Sequence, residues 1–553
     1  MDNVTLVKGA HTIKAGVEFR ASDFDDESRI SPGGSFTFTD RATGDGLATM
    51  LLGWTSAATL VDNPVISSRT DYYGAFVQDN WKVSQRLTLN FGLRWEMDTP
   101  RWEKNNRQNS VDLTAINPIS GTPGIMVWAG QNGRTKYAHD FDQRNFGPHF
   151  GFAWRHGDST VIRGGYGLTY VGAYGQALPN AMTAGFSKQG DFTSPDGGFT
   201  PAFPFRDGLP AISAFVLEPG FGAVRVGSAP RFAPQFIASN HKNGYAQHWN
   251  LSVQRLLKGS LLAEAAYLGN VGHKLPGAPI NRNVIALANG RGPATQDQRL
   301  RPYPQWSGLT ELGGPDLGNS TYHALNAKLE KRYSGGFNLL LNYTWAKFID
   351  GGFEGNQHPE LLRLDKALSV SDVAHRVSGS AVYELPIGRG KLVDIQNAVL
   401  NHIIGGWVTG AILELRDGTP FGVGEQTNLS NTFAPGQRSN LTGNPYLSTS
   451  RSRRELLAQY FNTAAFTAPG VGLFGSAPRT LIRGPGSISL DTSIQKRWAL
   501  TERWKLQMRG DFFNLPNRPN FGQPNGSRGN ANFGRITASG PGRQTQLGLR
   551  LEF

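Results

Sequence analysis

Apolar and polar residues alternate with a period of two along much of this chain, and the clearest case is its last ten residues, QTQLGLRLEF. Thr545, Leu547, Leu549, Leu551 and Phe553 fall on one face of an extended strand. Gln544, Gln546, Gly548, Arg550 and Glu552 fall on the other. About ten residues is the length that crosses a bilayer as a tilted strand. Residues 86–96 repeat the pattern, with Leu87, Leu89, Phe91, Leu93 and Trp95 opposing Arg86, Thr88, Asn90, Arg94 and Glu96. Residues 337–345 set Phe337, Leu339, Leu341, Tyr343 and Trp345 against Asn338, Asn342 and Thr344. Residues 504–512 set Trp504, Leu506, Met508 and Phe512 against Lys505, Gln507, Arg509 and Asp511. Further strands are predicted near Tyr72, Phe146, Val161, Gln247, Leu261, Tyr322, Arg376, Gly406 and Ser487, and over residues 3–8 and 11–20, fifteen in all.

The connections alternate in length. Residues 8–11, 83–86, 156–159, 257–260 and 333–336 have the composition of tight hairpin turns. Long segments rich in Gly, Pro, Asn and Asp lie near 21–69, 97–144, 171–245, 270–319, 349–374, 418–485 and 515–542. Residues 386–405 are the exception on the short-turn side, where 393–404 could form a brief helix. A soluble sandwich has no reason to keep its long loops at one end, whereas an outer-membrane barrel does.

The frame of the alternation decides which face meets lipid. Arg94, Arg163 and Arg509 all fall on the polar side of their strands. Inverting the frame would put each in hydrocarbon, at about 2–4 kcal/mol apiece near the bilayer centre. The fold class is therefore all-β, an antiparallel transmembrane β-barrel with long extracellular loops, occupying 1–553 as one domain. A bacterial barrel closes on an even number of strands. An odd count predicts either a hidden hairpin around Ser35 to Phe38 or a chain lacking some strands. Residues 1–20 carry no apolar signal-peptide core, which reads as a start inside a longer protein.

Composition narrows the class further. Only 39% of residues are hydrophobic and no run of eighteen apolar residues occurs, so a helical membrane protein is excluded. Aromatics at 11% suit strands and interfacial girdles, and zero Cys removes disulfides and thiol chemistry. Trp81, Trp154, Trp345, Trp407, Trp498 and Trp504 lie near strand ends, as interfacial anchors do. The net charge of +13 is dispersed over strands and loops rather than gathered on one patch. Nucleic acid is not an expected partner; a cationic surface against anionic lipid is.

Several motifs resemble chemistry and fail on spacing. In GRGK at 388–391, Leu385 stands where a phosphate loop needs its first Gly. Asp23, Asp25, Asp26 and Glu27 lack the Gly of a calcium loop and read as a solvated loop tip. His149 and His156 are seven apart, as are His241 and His248, with no third ligand in register. No catalytic, cofactor-binding or metal residue is assigned, no cofactor is expected, and the substrate-binding residues stay unknown.

A resemblance now adds to this reading. YGAFVQDNWK at 73–82, LTLNFGLRWE at 87–96, STYHAL at 320–325, LEKRY at 329–333, YTWAK at 343–347, YELPIGRGK at 383–391, GGW at 405–407, YFNTAAF at 460–466, LIRGPG at 481–486 and FNLPNRPNFG at 513–522 resemble the barrel of Oar-like TonB-dependent receptors. The similarity runs through nearly the whole chain in the family's order. It implies a 22-stranded barrel in the bacterial outer membrane, filled by a plug and energised by TonB through an N-terminal segment. Against that pattern fifteen strands imply the C-terminal part of a transporter, with plug and signal peptide absent. The aromatic terminus likewise resembles the signal read by the barrel-assembly machinery, carried here by Leu547, Leu549, Leu551 and Phe553. The expected partners are outer-membrane lipid, that machinery, and TonB only through the missing plug segment. The alternatives are a surface adhesin or scaffold using its long loops, and a soluble all-β binding module.

Overall fold

The computed structural model describes the chain except residues 27–33, 63, 132–133, 173–184, 187, 213–216, 313–316, 353–355 and 449. Fifteen long strands run in sequence through the described residues. They are β1 (Asp2–Lys8), β2 (His11–Asp26), β3 (Ile66–Lys82), β4 (Leu87–Asp98), β5 (Asn145–His156), β6 (Thr160–Tyr170), β7 (Tyr245–Leu257) and β8 (Leu261–Leu275). They continue as β9 (Gly318–Ser334), β10 (Phe337–Gly351), β11 (His375–Glu384), β12 (Trp407–Arg416), β13 (Ser487–Ala499), β14 (Lys505–Phe513) and β15 (Gln544–Glu552). Each pairs antiparallel with the next in one uninterrupted meander. The strands predicted from the alternation are these fifteen, in that order. Among the described residues β1 and β15 each keep one edge without a strand partner.

Turn chemistry fixes the register. Gly335 and Gly336 have φ of +61° and +77°, which closes the β9–β10 hairpin with Ser334 opposite Phe337. Two successive positive φ values define the hairpin turn whose twist matches its strands, and glycine adopts them without a Cβ penalty. The helix expected within 393–404 is observed at Ala398–Ile404, with the Asn397 side chain accepting from Leu400 N. Ser35–Thr37 is a strand, but it pairs with Ala57–Asp62 among the loops and does not add to the wall.

The apolar rows point outward. Val17, Phe19, Val77, Phe91, Leu93, Leu251, Val253, Tyr267, Leu325, Leu341, Leu547 and Leu549 are all exposed, and among the described residues no second sheet covers them. Leaving these rows in water would forfeit about 25 cal/mol for each Å² of apolar surface, so the band requires hydrocarbon. No helix among the described residues is long and apolar enough to cross a membrane. Trp81, Trp154, Trp407, Trp498 and Trp504 cluster at the short-turn ends, while Trp345 lies further along β10 towards the loops. On that loop side Tyr267 meets the His323 ring Nδ1 at 2.8 Å, and Tyr343 meets His375 Nδ1 at the same distance.

The packed core lies elsewhere than the wall. Trp128, Met126, Val111, Phe236, Trp306 and Leu309 form one buried cluster, contributed by three of the long loops. Phe461, Phe466, Val423, Ala477 and Ile482 form another within residues 417–486. The Gly- and Pro-rich segments thus fold into a roof with its own hydrophobic interior. The hairpin Asn109–Ile116 with Pro123–Trp128 supplies much of the first cluster.

Candidate functional site

On the lumenal face, opposite the apolar band, β2, β3 and β4 bring charges together beneath the roof. Arg94 donates from Nε to Glu96 Oε2 at 3.1 Å and from Nη2 to Glu18 Oε2 at 3.1 Å. It also donates to the Tyr72 hydroxyl, which donates in turn to Glu96 at 3.0 Å. The Arg20 guanidinium lies over the Tyr72 ring at 4.6 Å. Around them a cavity of about 320 Å³ is lined by Arg20, Tyr72, Arg94, Glu96, Asp98, Asn145, Tyr170 and Asn243. Gly74 makes the arrangement possible. A Cβ there would lie 2.9 Å from the Tyr72 hydroxyl and 3.2 Å from Arg94 Nη2, so the missing side chain is the path along which Arg94 crosses β3.

The roof is fastened to the wall by buried charge. Arg479 pairs with Asp350 at the end of β10, Arg438 Nη2 stands 3.1 Å from Asp365 Oδ1, and Arg483 pairs with Asp372. Each pair joins residues 417–486 to residues 350–372. Burial pushes Asp365 up to about 6, against the pull of Arg438 and Arg479. The same burial lowers Arg438. Charged partners cost desolvation on both sides, so these pairs fix geometry more than they add stability.

A second polar contact sits in the first loop cluster. The rings of His139 and His241 pack edge to face with centroids 4.9 Å apart. His139 Nδ1 lies 2.9 Å from the Asp140 carbonyl. Burial drives His139 down to about 4 and lowers His241 as well. Beside them a groove of about 740 Å³ runs between the hairpin at 109–128 and residues 236–240, with Asp112, Gln131 and Arg134 on its rim. Burial thus favours the neutral form of both rings.

The residues singled out from sequence fall as follows. Leu547, Leu549, Leu551 and Phe553 project from β15 with exposures of 71%, 72%, 49% and 91%, and the Phe553 ring contacts Trp504 at 5.3 Å. Arg94, Arg163 and Arg509 take lumenal positions, where Arg163 donates to Gln254 at 2.9 Å and Arg509 to Asp511 at 2.9 Å. Asp23, Asp25 and Asp26 are not at a loop tip as expected. β2 runs through them, and Asp23 pairs with Lys104 at 3.3 Å. Glu27 lies outside the described residues. Residues 388–391 form a turn, with Lys391 Nζ 3.2 Å from Glu384. His149 and His156 remain apart on β5, His248 is on β7, and among the described residues no three His, Asp or Glu side chains converge as for a metal.

The charged clasp and the two loop clusters escaped the sequence reading. Their signal was present as apolar runs inside the loops, VDLTAI at 111–116 and GIMVW at 124–128.

The family described as "Outer membrane beta barrel domain" matches residues 1–546. No curated protein matches. Among solved structures, the FrpB iron transporter from Neisseria meningitidis (F3-3 variant) is 11% identical, with a TM-score of 0.44 over 100% of this chain and 54% of that one. The ferric yersiniabactin uptake receptor FyuA from Yersinia pestis is 9% identical, with a TM-score of 0.41 over 98% of this chain and 51% of its own. The copper transporter OprC is 10% identical, with a TM-score of 0.42 over 99% and 55%. The chain spans about half the length of these structures.

Proposed function

The chain belongs to the outer membrane β-barrel domain family and resides in the bacterial outer membrane, and from that premise we propose that it is the barrel of an Oar-like TonB-dependent transporter. In this reading residues 1–553 are one barrel domain. The roof captures a solute, and the lumen passes it inward when TonB acts on a plug carried by the intact protein. Leu547, Leu549, Leu551 and Phe553 are the strand that the barrel-assembly machinery reads. No covalent step is assigned to any residue.

The observation that supports this reading is the Arg94 cluster. An adhesin needs folded loops but has no use for a lumenal wall carrying Arg20, Arg94, Glu18 and Glu96 over a polar cavity. A transporter does, because a polar solute or a polar plug needs partners of both signs once bulk water is restricted.

The test is solute uptake by cells displaying the intact protein, profiled with TonB active and with TonB inactivated. Accumulation of at least one solute that depends on both the protein and TonB is expected. Identical profiles in the two states would overturn the reading. Orientation is checked in the same cells by surface labelling, which should reach residues 515–542 and spare Lys258.

A further inference from the structure

Three stretches left unexplained by the alternation, YFNTAAF at 460–466, LIRGPG at 481–486 and FNLPNRPNFG at 513–522, meet around one cavity of about 540 Å³ at the loop end of β13 and β14. Tyr460, Pro485, Arg518 and Phe521 come from those stretches, and Arg451 and Arg453 complete the lining. That volume suits a small molecule.

The Arg451 guanidinium is held by three neutral carbonyls, those of Ser448, Gln459 and Tyr460. Arg451 donates from Nε to the Ser448 carbonyl at 2.8 Å and from Nη2 to the Tyr460 carbonyl at 3.0 Å. Carbonyls fix its direction but carry no net charge. The Arg518 backbone is set by Asn514, whose Oδ1 accepts the Arg518 backbone N–H at 3.1 Å and whose Nδ2 donates to the Arg518 carbonyl at 3.0 Å. Arg453 and Arg518 are exposed, and among the described residues neither has an ion-pair partner. The adjacent acid, Glu455, is occupied: its Oε2 accepts from Ser452 N at 2.8 Å and from Ser452 Oγ at 2.7 Å. The cavity therefore presents three guanidinium groups beside Tyr460, Phe521 and Pro485; among the described residues no carboxylate is in ion-pair contact with any of the three, and Glu455 acts on Arg451 only through space.

We propose that this cavity binds a small oligocarboxylate, its carboxylates meeting Arg451, Arg453 and Arg518 and its apolar body resting on Tyr460, Phe521 and Pro485. Guanidinium forks match carboxylates in two-point contacts, and aromatic and proline faces hold a flat body without selecting its substituents. The inference deepens the transport reading by naming a solute class, and it rests on that reading only for its purpose, capture before passage.

The experiment separates the two. Folded full-length protein in detergent is titrated calorimetrically with benzene-1,3,5-tricarboxylate at low salt, and in parallel with inositol hexakisphosphate. Saturable binding of the tricarboxylate is expected, weakening as salt rises. The R453Q/R518Q variant should lose about 100-fold in affinity, roughly tenfold for each charge-assisted contact removed. R453K/R518K should recover part of the loss, and R206Q, an exposed loop arginine elsewhere, should bind as the parent does. Unchanged heat-modifiability on gels verifies that each variant is folded. No tricarboxylate binding at millimolar concentration, equal affinity in R453Q/R518Q, or binding of the phosphate alone would overturn the assignment. Binding without TonB-dependent uptake would sink the transport reading and leave the site standing. Uptake without binding would do the reverse.

Discussion

Arg94 on β4 reaches over the whole of β3 to place Nη2 3.1 Å from Glu18 Oε2 on β2. The crossing point is Gly74, which lies opposite Glu18 on one side and Glu96 on the other. One residue without a side chain thus lets a single cation tie three strands together on the lumenal face. Gly74→Leu should displace Arg94, leaving Glu96 without its counter-ion and Glu18 with only Arg20, 3.5 Å away. Both carboxylates are partly exposed, so the electrostatic loss is about 1 kcal/mol, with steric strain added to it. The expected result is a lower temperature for the heat-modifiability shift than in Glu18→Gln, which removes one pair and adds no bulk. Equal shifts would contradict the crossing-point role.

The clasp between roof and wall should behave as a buried pair. Asp350 and Arg479 are each less than a tenth exposed, and Arg479 Nε also donates to the Asp365 carbonyl at 2.9 Å. Arg479→Leu strands a buried carboxylate, at a cost of about 3–5 kcal/mol. Asp350→Leu combined with Arg479→Leu should cost less than that single change, because neither charge is left alone. Limited proteolysis within 417–486 reads the difference: fast cleavage in the single variant, slower in the double. Cleavage at least as fast in the double would show that the carbonyl contacts, rather than the charge pair, hold the roof.

The two histidines of the first loop cluster predict a pH response with a definite sign. His139 falls to about 4 in the fold, against an ordinary value near 6.5. Between those values the unfolded loop binds a proton that the folded loop refuses, so acidification favours opening. The stability they contribute is present above about 6.5 and is lost as pH falls towards 4. Asp142 acts against the shift at both rings and Asp140 at His139, whereas His241 adds to it at His139 and Lys242 adds to it at His241. The protection of amides in 109–128, measured as exchange relative to the intrinsic rate at each pH, should therefore fall from pH 7.5 to 5. His139→Phe should flatten that dependence; an unaltered slope would exclude His139 as its source.

What the chain disclosed before folding was the wall, because lipid and lumen act on every second residue and leave a period that no loop can imitate. Leu87 to Trp95 and Trp504 to Phe512 needed no partner to be read. The roof was less legible, since Trp128 and Trp306 are buried by loops from distant parts of the sequence, where no local period exists. The Asp350–Arg479 contact spans 129 residues, and either side chain alone looks like a solvated loop charge. Asp23 to Asp26 misled for a related reason. Strands in this wall exceed the bilayer thickness, so a polar extension of β2 has the composition of a loop.

The frame itself can be tested at one position of the last strand. Leu549 projects outward from β15 and is 72% exposed, while the Arg550 side chain lies on the opposite face and stands 3.5 Å from Glu552. Leu549→Arg places a guanidinium in the lipid band, at about 2–4 kcal/mol near the bilayer centre. Arg550→Leu loses an exposed ion pair, which contributes at most about 1 kcal/mol. Insertion should accordingly fail or slow in the first variant and proceed in the second, read as the fraction of heat-modifiable protein recovered from the outer membrane. Were the two recovered equally, the apolar row of β15 would not be in hydrocarbon. The lipid-facing frame inferred for the other fourteen strands would lose its simplest support, since all of them are in register with it through the same ladder.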